Sequence, residues 1–313
     1  MLSLLIPTYN YVCAHLVCEL QKQCEEVQAM LGQDFKYEII VGDDASTDPD
    51  SVNANAVVEA LPCCRYEWFD ENYGRARHRN RMIAMSRYPW LLLIDSDAEV
   101  VSDDFIWNYW QAAQRENAGD IIVGSILTPP TAPAGHELRL NYEHWAESIR
   151  TLEVRQANPV AYLSTFNLLI RRAVFEKQCF DERCTQYGYE DALFGVEAER
   201  NGFRIQHIDN PLLHRGINDN ASFLRNSELA LETLHHLGSP MTDRANICKA
   251  VRKVEEWHLP GWKACSAATL LLYIYKGLKP ALKRNLLSQH PNLKLFAFYK
   301  LGYYLELQTE KKQ

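Results

Sequence analysis

What this 313-residue sequence lacks limits the functions it can have. Basic residues are not in excess, because 33 Lys and Arg stand against 40 Asp and Glu, a formal net charge of −7. A general nucleic-acid-binding protein normally carries a basic surface. The nine cysteines are odd in number and show no C-x-x-C spacing, which argues against a zinc ribbon, a thioredoxin-like site or a disulfide framework. We therefore expect reduced thiols in a cytoplasmic protein with no nucleic-acid partner.

Membrane-spanning and targeting patterns are missing as well. No uncharged apolar run approaches the roughly 20 residues that a transmembrane helix needs. The first apolar run, Leu2–Ile6, begins almost at Met1, without the basic segment and cleavage site of a signal peptide. Internal repeats and low-complexity tracts are also missing. With 47% hydrophobic residues, the chain can form a large buried core.

Short apolar runs alternate with helical periodicity over the first 95 residues. The predicted strands are Leu2–Pro7, Tyr37–Gly42, Arg65–Phe69 and the run from Trp90 to Ile94; the predicted helices are 12–31, Ser51–Leu61 and Arg75–Arg87. This alternation predicts a mostly parallel α/β sheet with helices on both faces. Ligands bind beyond the carboxyl ends of the strands in such sheets, so we expect a crevice there.

The pattern is less regular after residue 120. Strands are predicted at Asp120–Leu127, Leu163–Ile170 and Phe203–Ile208, and helices at Glu137–Arg155 and Asp191–Arg200. From Gly238 onward the residues are mostly of helical character, with Lys and Arg clustered among leucines and aromatic residues. The second half should therefore complete the sheet and add a helical segment.

Asp95-Ser96-Asp97, directly after the apolar run, is the most informative local pattern. Residues i and i+2 share one face of a strand, so the two carboxylates could converge on one point. Two close carboxylates need a cation to stay ionised together, and such oxygen ligands suit Mg²⁺ or Mn²⁺. The alternative is a plain turn after the strand, because Asp and Ser also favour turns.

Six motifs occur in one order along the chain: Ile6-Pro7-Thr8-Tyr9-Asn10, Val41–Asp48, Asn72-Tyr73-Gly74 with Arg79-Asn80, Asp95-Ser96-Asp97, Phe180–Arg183 and Tyr187–Asp191. In this order they resemble the family 2 glycosyltransferases of the GT-A fold, which are inverting enzymes with nucleotide-sugar donors. The resemblance spans residues 1 to about 220. It implies a catalytic domain at 1–237, with a nucleotide-binding half at about 1–100 and an acceptor-binding half at about 101–237, followed by a helical extension at 238–313. His78 departs from the family pattern, which usually has a small residue there.

The resemblance also implies which residues bind the nucleotide-sugar donor: Pro7, Thr8, Tyr9, Asp43, Asp44, Asn72, Gly74, Arg79, Asp95 and Ser96. One of Asp43 and Asp44 would accept the N3–H of uracil, since a carboxylate is a pure acceptor; we favour Asp44. Arg79 would pair with base or phosphate. It is one of four arginines on its helix, however, and some of the four must simply be solvated surface charges.

Metal binding and catalysis are assigned by the same resemblance. Asp97 would coordinate Mn²⁺ or Mg²⁺ directly, and Asp95 would reach the metal through water or hold the donor. His214 is a third candidate ligand, with a structural histidine as the alternative. Asp191 would be the general base and Glu190 would bind acceptor hydroxyls, unless both are only acids at a helix start.

The C-terminal segment combines Trp262, the run Leu270–Lys276 and the basic residues Lys279, Lys283 and Arg284. Basic residues beside aromatic and leucine side chains are typical of an interfacial membrane helix. The alternative, which we favour here, is a helical segment that packs on the catalytic domain or on a second protomer of a homodimer. Peripheral contact with the inner face of a membrane would fit a lipid-linked acceptor.

We therefore expect a metal-dependent, inverting glycosyltransferase of the hexosyl or N-acetylhexosaminyl type. It would move a sugar from UDP, in preference to GDP or dTDP, to a glycan or lipid-linked acceptor in polysaccharide or surface-glycan synthesis. One alternative is a sugar-nucleotide nucleotidyltransferase, which needs a Gly-rich basic loop that residues 7–12 do not provide. The other is a non-catalytic sugar-nucleotide-binding module.

Overall fold

A computed structural model describes residues 1–184, 187–257 and 267–310. Within this part of the chain eight strands form one sheet: β1 (Leu2–Thr8), β2 (Tyr37–Asp43), β3 (Cys64–Trp68), β4 (Trp90–Ile94), β5 (Ala98–Val100), β6 (Ile121–Leu127), β7 (Asn167–Arg171) and β8 (Ile205–His214). Their spatial order is β3-β2-β1-β4-β7-β6-β8-β5. Trp262 lies outside the described residues.

The α-helices follow the strands in alternation and then dominate the C-terminal part. They are α1 (Ala14–Leu31), α2 (Pro49–Ala56), α3 (Arg75–Met85), α4 (Phe105–Gln114), α5 (Glu137–Ile149), α6 (Leu152–Ala157), α7 (Arg172–Phe175), α8 (Glu190–Arg200), α9 (Asn220–Leu237), α10 (Met241–Arg244), α11 (Asn246–Glu256), α12 (Ala267–Leu286) and α13 (Leu293–Glu310). None of the helices in the described ranges is both long enough and apolar enough to cross a bilayer.

The sheet is mixed but mostly parallel. Strands β3, β2, β1 and β4 pair in parallel, as do β6 and β8. Strand β7 runs antiparallel to both β4 and β6, and β5 runs antiparallel to β8. The side chains of β1 alternate between two buried clusters: Leu4 packs in the cluster that contains Leu16 of α1, and Leu5 packs in the one that contains Met82 of α3. The prediction of a mostly parallel sheet with helices on both faces is therefore confirmed.

Several local predictions need correction. The stretch predicted as one helix, Glu137–Arg155, is divided into α5 and α6, because the hydroxyl of Thr151 accepts the N–H of Val154 and begins a new helix. Strand β7 begins only at Asn167, and β8 continues to His214. We did not predict α4, although its buried residues have helical spacing: Phe105, Ile106, Tyr109, Ala112 and Ala113.

The described chain divides into two compact units. Residues 1–129, 147–184 and 190–216 form the unit that contains the sheet, called the sheet unit below. Residues 130–146 and 187–189 join the residues after 216 in a second unit, called the helical unit. The predicted boundary at residue 237 stays a prediction.

The helical unit has a core of its own. Phe223 of α9, Tyr275 of α12 and Phe296 of α13 are buried in one apolar cluster. Gly302 allows helices α12 and α13 to approach closely. A Cβ at this position would lie only 2.2 Å from the Cγ of Tyr275. The hydroxyl of Tyr303 donates to Glu232 of α9 at 2.5 Å. These contacts connect three helices into one packed body.

Candidate active site

A cleft of about 390 Å³ opens in the sheet unit beyond the carboxyl ends of β1, β2 and β4. Its lining residues are Pro7, Thr8, Tyr9, Tyr11, Asp44, Asn72, Gly74, Arg75, His78, Arg79, Asp95, Ser96 and Asp97. Nine of the ten residues predicted to bind the donor are among them, and Asp43 is the tenth. The sequence reasoning did not identify Tyr11, Arg75 or His78 as cleft residues.

Asp43 and Asp44 are neighbours in the sequence but have different surroundings. Asp43 is fully buried, accepts the N–H of Ser46 at 2.7 Å and also accepts the hydroxyl proton of Tyr66. Asp44 lines the cleft and accepts the N–H groups of Tyr73 at 2.8 Å and Gly74 at 2.9 Å. Asp43 therefore closes the turn after β2, whereas Asp44 connects that turn to the start of α3.

His78 is a buried side chain directly behind this turn. Its Nε2 lies 2.9 Å from the carbonyl oxygen of Gly42, so the neutral ring carries its proton there and leaves Nδ1 as an acceptor. Nδ1 lies 3.4 Å from Oδ1 of Asp44. Burial lowers the pKa of His78, although the charge of Asp44 opposes this change. The residue that departs from the family pattern thus contacts the turn that carries Asp44.

Arg79 is the centre of a second group of charges. Only 3% of its side chain is exposed, and its Nη2 donates to Asp95 at 3.0 Å. Its Nη1 lies 3.7 Å from Glu190 and 3.6 Å from Asp191. Burial alone would lower the pKa of Arg79, but the three carboxylates raise it above its usual value.

The other three arginines of α3 have two kinds of partner, an aromatic ring and a carboxylate. Arg77 and Arg81 stack over the ring of Tyr73, at 4.7 Å and 4.2 Å. Arg75 lies 3.5 Å from Glu190. Two of the four arginines therefore interact with the carboxylates, and the other two cover an aromatic side chain.

Asp191 lies in the first turn of α8, next to Glu190. Its carboxylate accepts the N–H of Thr165 at 3.0 Å and the hydroxyl of the same residue at 3.0 and 3.1 Å. Burial and the adjacent Glu190 raise the pKa of Asp191 to about 6, while Arg79 opposes them. Asp191 is therefore ionised at neutral pH and can accept a proton.

Asn80 positions the segment that leads to α8. Its side-chain amide donates to the carbonyl of Phe180 at 2.9 Å and accepts the N–H of the same residue at 3.0 Å. The sequence reasoning named Asn80 only as part of a motif and did not identify Thr165. No sequence signal connects either residue to its partner, because the pairs are 100 and 26 residues apart.

Asp97 and His214 are brought together by the pairing of β5 with β8, in which Ala98 lies opposite His214. Nε2 of His214 lies 3.3 Å from Oδ2 of Asp97. Burial opposes ionisation of Asp97, but the hydrogen bond and charge of His214 lower its pKa below the usual value. Gly216 is required beside them, because a Cβ there would lie 1.8 Å from Oδ2 of Asp97.

Asp97, His214 and Asp95 fit a divalent cation for which a substrate supplies some of the ligands. Within the described ranges no group of three or more His, Cys, Asp or Glu side chains is close enough to hold a metal ion alone. Asp97 and His214 are close enough to share a cation, whereas one carboxylate oxygen of Asp95 already accepts a hydrogen bond from Arg79. Mg²⁺ and Mn²⁺ commonly bind through one or two protein groups plus phosphate oxygens and water.

Comparisons with known proteins identify the family and the fold of the chain. The model of Glycosyl transferase family 2 matches residues 3–179, more than half of the chain. A comparison with curated protein sequences gave no match.

Solved structures with a similar fold include the mannosyltransferase PcManGT from Pyrobaculum calidifontis in complex with GDP-Man and Mn²⁺. It is 16% identical, with a TM-score of 0.54 over 99% of this chain and 86% of that one. S. aureus TarS 1–349 is also 16% identical, with a TM-score of 0.50 over 100% and 92% of the two chains. Glucosyl-3-phosphoglycerate synthase from Mycobacterium tuberculosis, in complex with Mn²⁺, UDP and phosphoglyceric acid, is 15% identical, with a TM-score of 0.50 over 77% and 79%. At these identities the likeness shows a shared fold, and it confirms the predicted GT-A class.

Proposed function

The chain belongs to glycosyl transferase family 2, and from that premise we propose that its cleft binds a nucleotide sugar and transfers the sugar with inversion. The observation that supports this most directly is the convergence on Arg79. The guanidinium contacts Asp95, from the predicted donor motif, and lies 3.6 Å from Asp191, the predicted base. The groups that we assign to the donor and to the attacking hydroxyl would therefore act in the same part of the sheet unit.

We propose UDP as the nucleotide, in preference to GDP or dTDP. Asp44 lines the cleft, and its carboxylate can accept the N3–H of uracil. Thymine has the same N–H, so titration of both nucleotides is needed to separate UDP from dTDP. The two bonds that Asp44 accepts from backbone N–H groups hold the carboxylate in place and leave further lone pairs for a ligand. Tyr9, Asn72 and Gly74 would complete the nucleoside site.

The donor diphosphate would bind with Mn²⁺ or Mg²⁺ held by Asp97 and His214. When bound, the cation supplies positive charge that stabilises the leaving nucleoside diphosphate. The carboxylate of Asp97 and the neutral imidazole of His214, whose Nε2 lies 3.3 Å from it, would be the two protein ligands. Asp95, fixed by Arg79, would contact the donor directly or through water.

Asp191 would act as the general base. An acceptor hydroxyl gives its proton to the carboxylate and attacks the anomeric carbon, and the bond from that carbon to the diphosphate oxygen breaks on the opposite face. A new glycosidic bond forms with inverted configuration, and the nucleoside diphosphate leaves. A pKa of about 6 keeps the base ionised at pH 7 without making it too weak. Glu190 would bind acceptor hydroxyls.

The acceptor that we propose is a glycan or a lipid-linked glycan, in polysaccharide or surface-glycan synthesis. A lipid-linked acceptor would bring the enzyme to the inner face of a membrane, with contact through the C-terminal helices. The nucleotidyltransferase alternative is not retained, since the chain is a glycosyltransferase by family. The non-catalytic alternative is tested by turnover.

The test is calorimetric titration of UDP, GDP and dTDP in the presence of Mn²⁺ or of EDTA. It uses the wild type, Asp97→Ala and the control Asp103→Ala, which removes an exposed carboxylate of the same unit. We expect binding of UDP that requires Mn²⁺, is lost in Asp97→Ala and is unchanged in the control. Metal-independent binding would remove the role of Asp97, and preference for GDP or dTDP would change the donor. If UDP binds but a screen of UDP-sugars and glycan acceptors gives no turnover, the chain is a binding module.

A further inference from the structure

Helix α12 is apolar on two opposite faces. One face, with Ala268, Tyr275, Leu282 and Leu286, is buried in the helical unit. The opposite face carries Leu270, Tyr273, Ile274 and Leu278, which are all more than 40% exposed; Tyr273 reaches 71%. Gly277 and Ala281 are exposed between them. These six residues are called the outer face of α12 below. A continuous exposed apolar stripe of this kind usually marks an interaction surface.

The charges of α12 indicate what kind of surface this stripe meets. The helix contains four basic residues and no Asp or Glu, in a chain with a net charge of −7. Lys279 and Lys283 are paired inside the helical unit, with Glu306 at 2.6 Å and Glu228 at 3.1 Å. Lys276 and Arg284 are exposed and lie three residues after Tyr273 and Ala281, so each borders the outer face.

We infer that the outer face of α12 binds the surface of a bilayer that contains anionic lipids. An exposed apolar stripe with basic residues at its border is the composition of a helix that lies in the plane of the membrane interface. Anionic headgroups would pair with Lys276 and Arg284 while the leucines and Tyr273 enter the acyl boundary. In a two-fold dimer through this face the same basic residues of two copies would be brought together, which disfavours a second copy as the partner. The inference rests on residues of the helical unit and does not depend on the donor site.

The experiment is sedimentation of the full chain with vesicles of phosphatidylcholine alone or with 30% phosphatidylglycerol. We expect binding to the anionic vesicles in 0.1 M salt, at least tenfold weaker binding to neutral vesicles, and a decrease in 0.5 M salt. Leu278→Glu should reduce binding to anionic vesicles at least tenfold. The matched control is Met30→Glu, which places the same charge at a 63% exposed apolar position of α1 in the sheet unit; it should change binding less than twofold.

A second variant separates the two contributions. Lys276→Gln with Arg284→Gln should remove the preference for anionic vesicles and leave weak salt-independent binding. Equal binding of wild type and Leu278→Glu, or no preference for anionic lipid, would overturn the inference. So would light scattering that shows a wild-type dimer converted to a monomer by Leu278→Glu, because the face would then bind a second copy. Titration of UDP with Leu278→Glu is a separate readout: unchanged affinity shows that a loss of vesicle binding does not come from the donor site.

Discussion

The carboxylates in and beside the cleft are held in two different ways. At the proposed nucleotide end, Asp43 accepts a backbone N–H of its own turn and a tyrosine hydroxyl, and Asp44 accepts two backbone N–H groups at the start of α3. At the proposed reaction end, Asp95 and Asp191 are held by a shared cationic side chain, Arg79. In the first arrangement the two carboxylates share no hydrogen-bond donor. The second is coupled, because a change in one carboxylate alters the balance of charge around the others.

This difference has a chemical consequence. Hydrogen bonds from the backbone keep a carboxylate ionised and oriented without any other side chain. In the set around Arg79, burial and the neighbouring Glu190 make one member ionise less readily than usual, and the shared guanidinium offsets this only in part. That member is Asp191, whose pKa is about 6. The coupled end thus produces a group with a pKa suited to proton transfer.

The largest effect is expected from neutralising the proposed base. Asp191→Asn should lower kcat by about 10²–10⁴-fold, because the acceptor hydroxyl loses its proton acceptor. Affinity for UDP should change little, since Arg79 keeps Asp95 and Glu190 as partners. Turnover at saturating donor and calorimetry measure the two quantities. Glu197→Gln, on the same helix, is the control and should keep wild-type turnover; a loss of less than tenfold in Asp191→Asn would show that the base lies elsewhere.

A smaller effect is expected from moving Asp97 without changing it. In Gly216→Ala the new methyl group would overlap Oδ2 of Asp97, so the carboxylate must leave its place beside His214. We expect Mn²⁺-dependent affinity for UDP to fall about 10–100-fold, as for other changes that misplace a metal ligand. Gly277→Ala, where a Cβ meets nothing within 4 Å, is the control. Wild-type affinity in Gly216→Ala would mean that Asp97 does not need this position.

At the nucleotide end, substitution of one carboxylate should lower stability, and substitution of its neighbour should lower the affinity for UDP. Asp43→Asn weakens one buried and one partly buried hydrogen bond and should lower the free energy of unfolding by about 1–3 kcal/mol. Asp44→Asn should lower the affinity for UDP about tenfold, the effect of one lost hydrogen bond to a charged acceptor. Urea denaturation and calorimetry on both variants test this. A greater loss of UDP affinity in folded Asp43→Asn than in Asp44→Asn would reverse the assignment.

The sequence was a better guide to which carboxylates lie near the cleft than to the side chains that hold them. Asp44, Asp95 and Asp97 could be located in advance, because each follows an apolar strand and the carboxyl ends of parallel strands share one edge. The contacts of Glu190 and Asp191 with Arg79 could not be foreseen, since both were predicted as site residues but follow Arg79 by more than 100 positions and belong to α8. The contact of Gly216 with Asp97 depends on β5, a strand of three residues. Alternation identifies an edge of a sheet, but it does not determine which side chains meet there.

The smallest effect is expected in the pH dependence of activity when a hydrogen-bond donor to Asp191 is removed. Because the base must be ionised, activity is lost as the pH falls through the pKa of Asp191, about 6. The hydroxyl of Thr165 lies 3.0 and 3.1 Å from the two carboxylate oxygens, and its single proton, donated to either of them, favours the ionised form. Thr165→Val removes this donor but keeps the backbone N–H bond, so the acid limb of kcat/KM should move to higher pH by about one unit. Thr165→Ser keeps a hydroxyl and should keep the wild-type limb. A limb that stays in place or moves to lower pH in Thr165→Val would show that another group controls the profile.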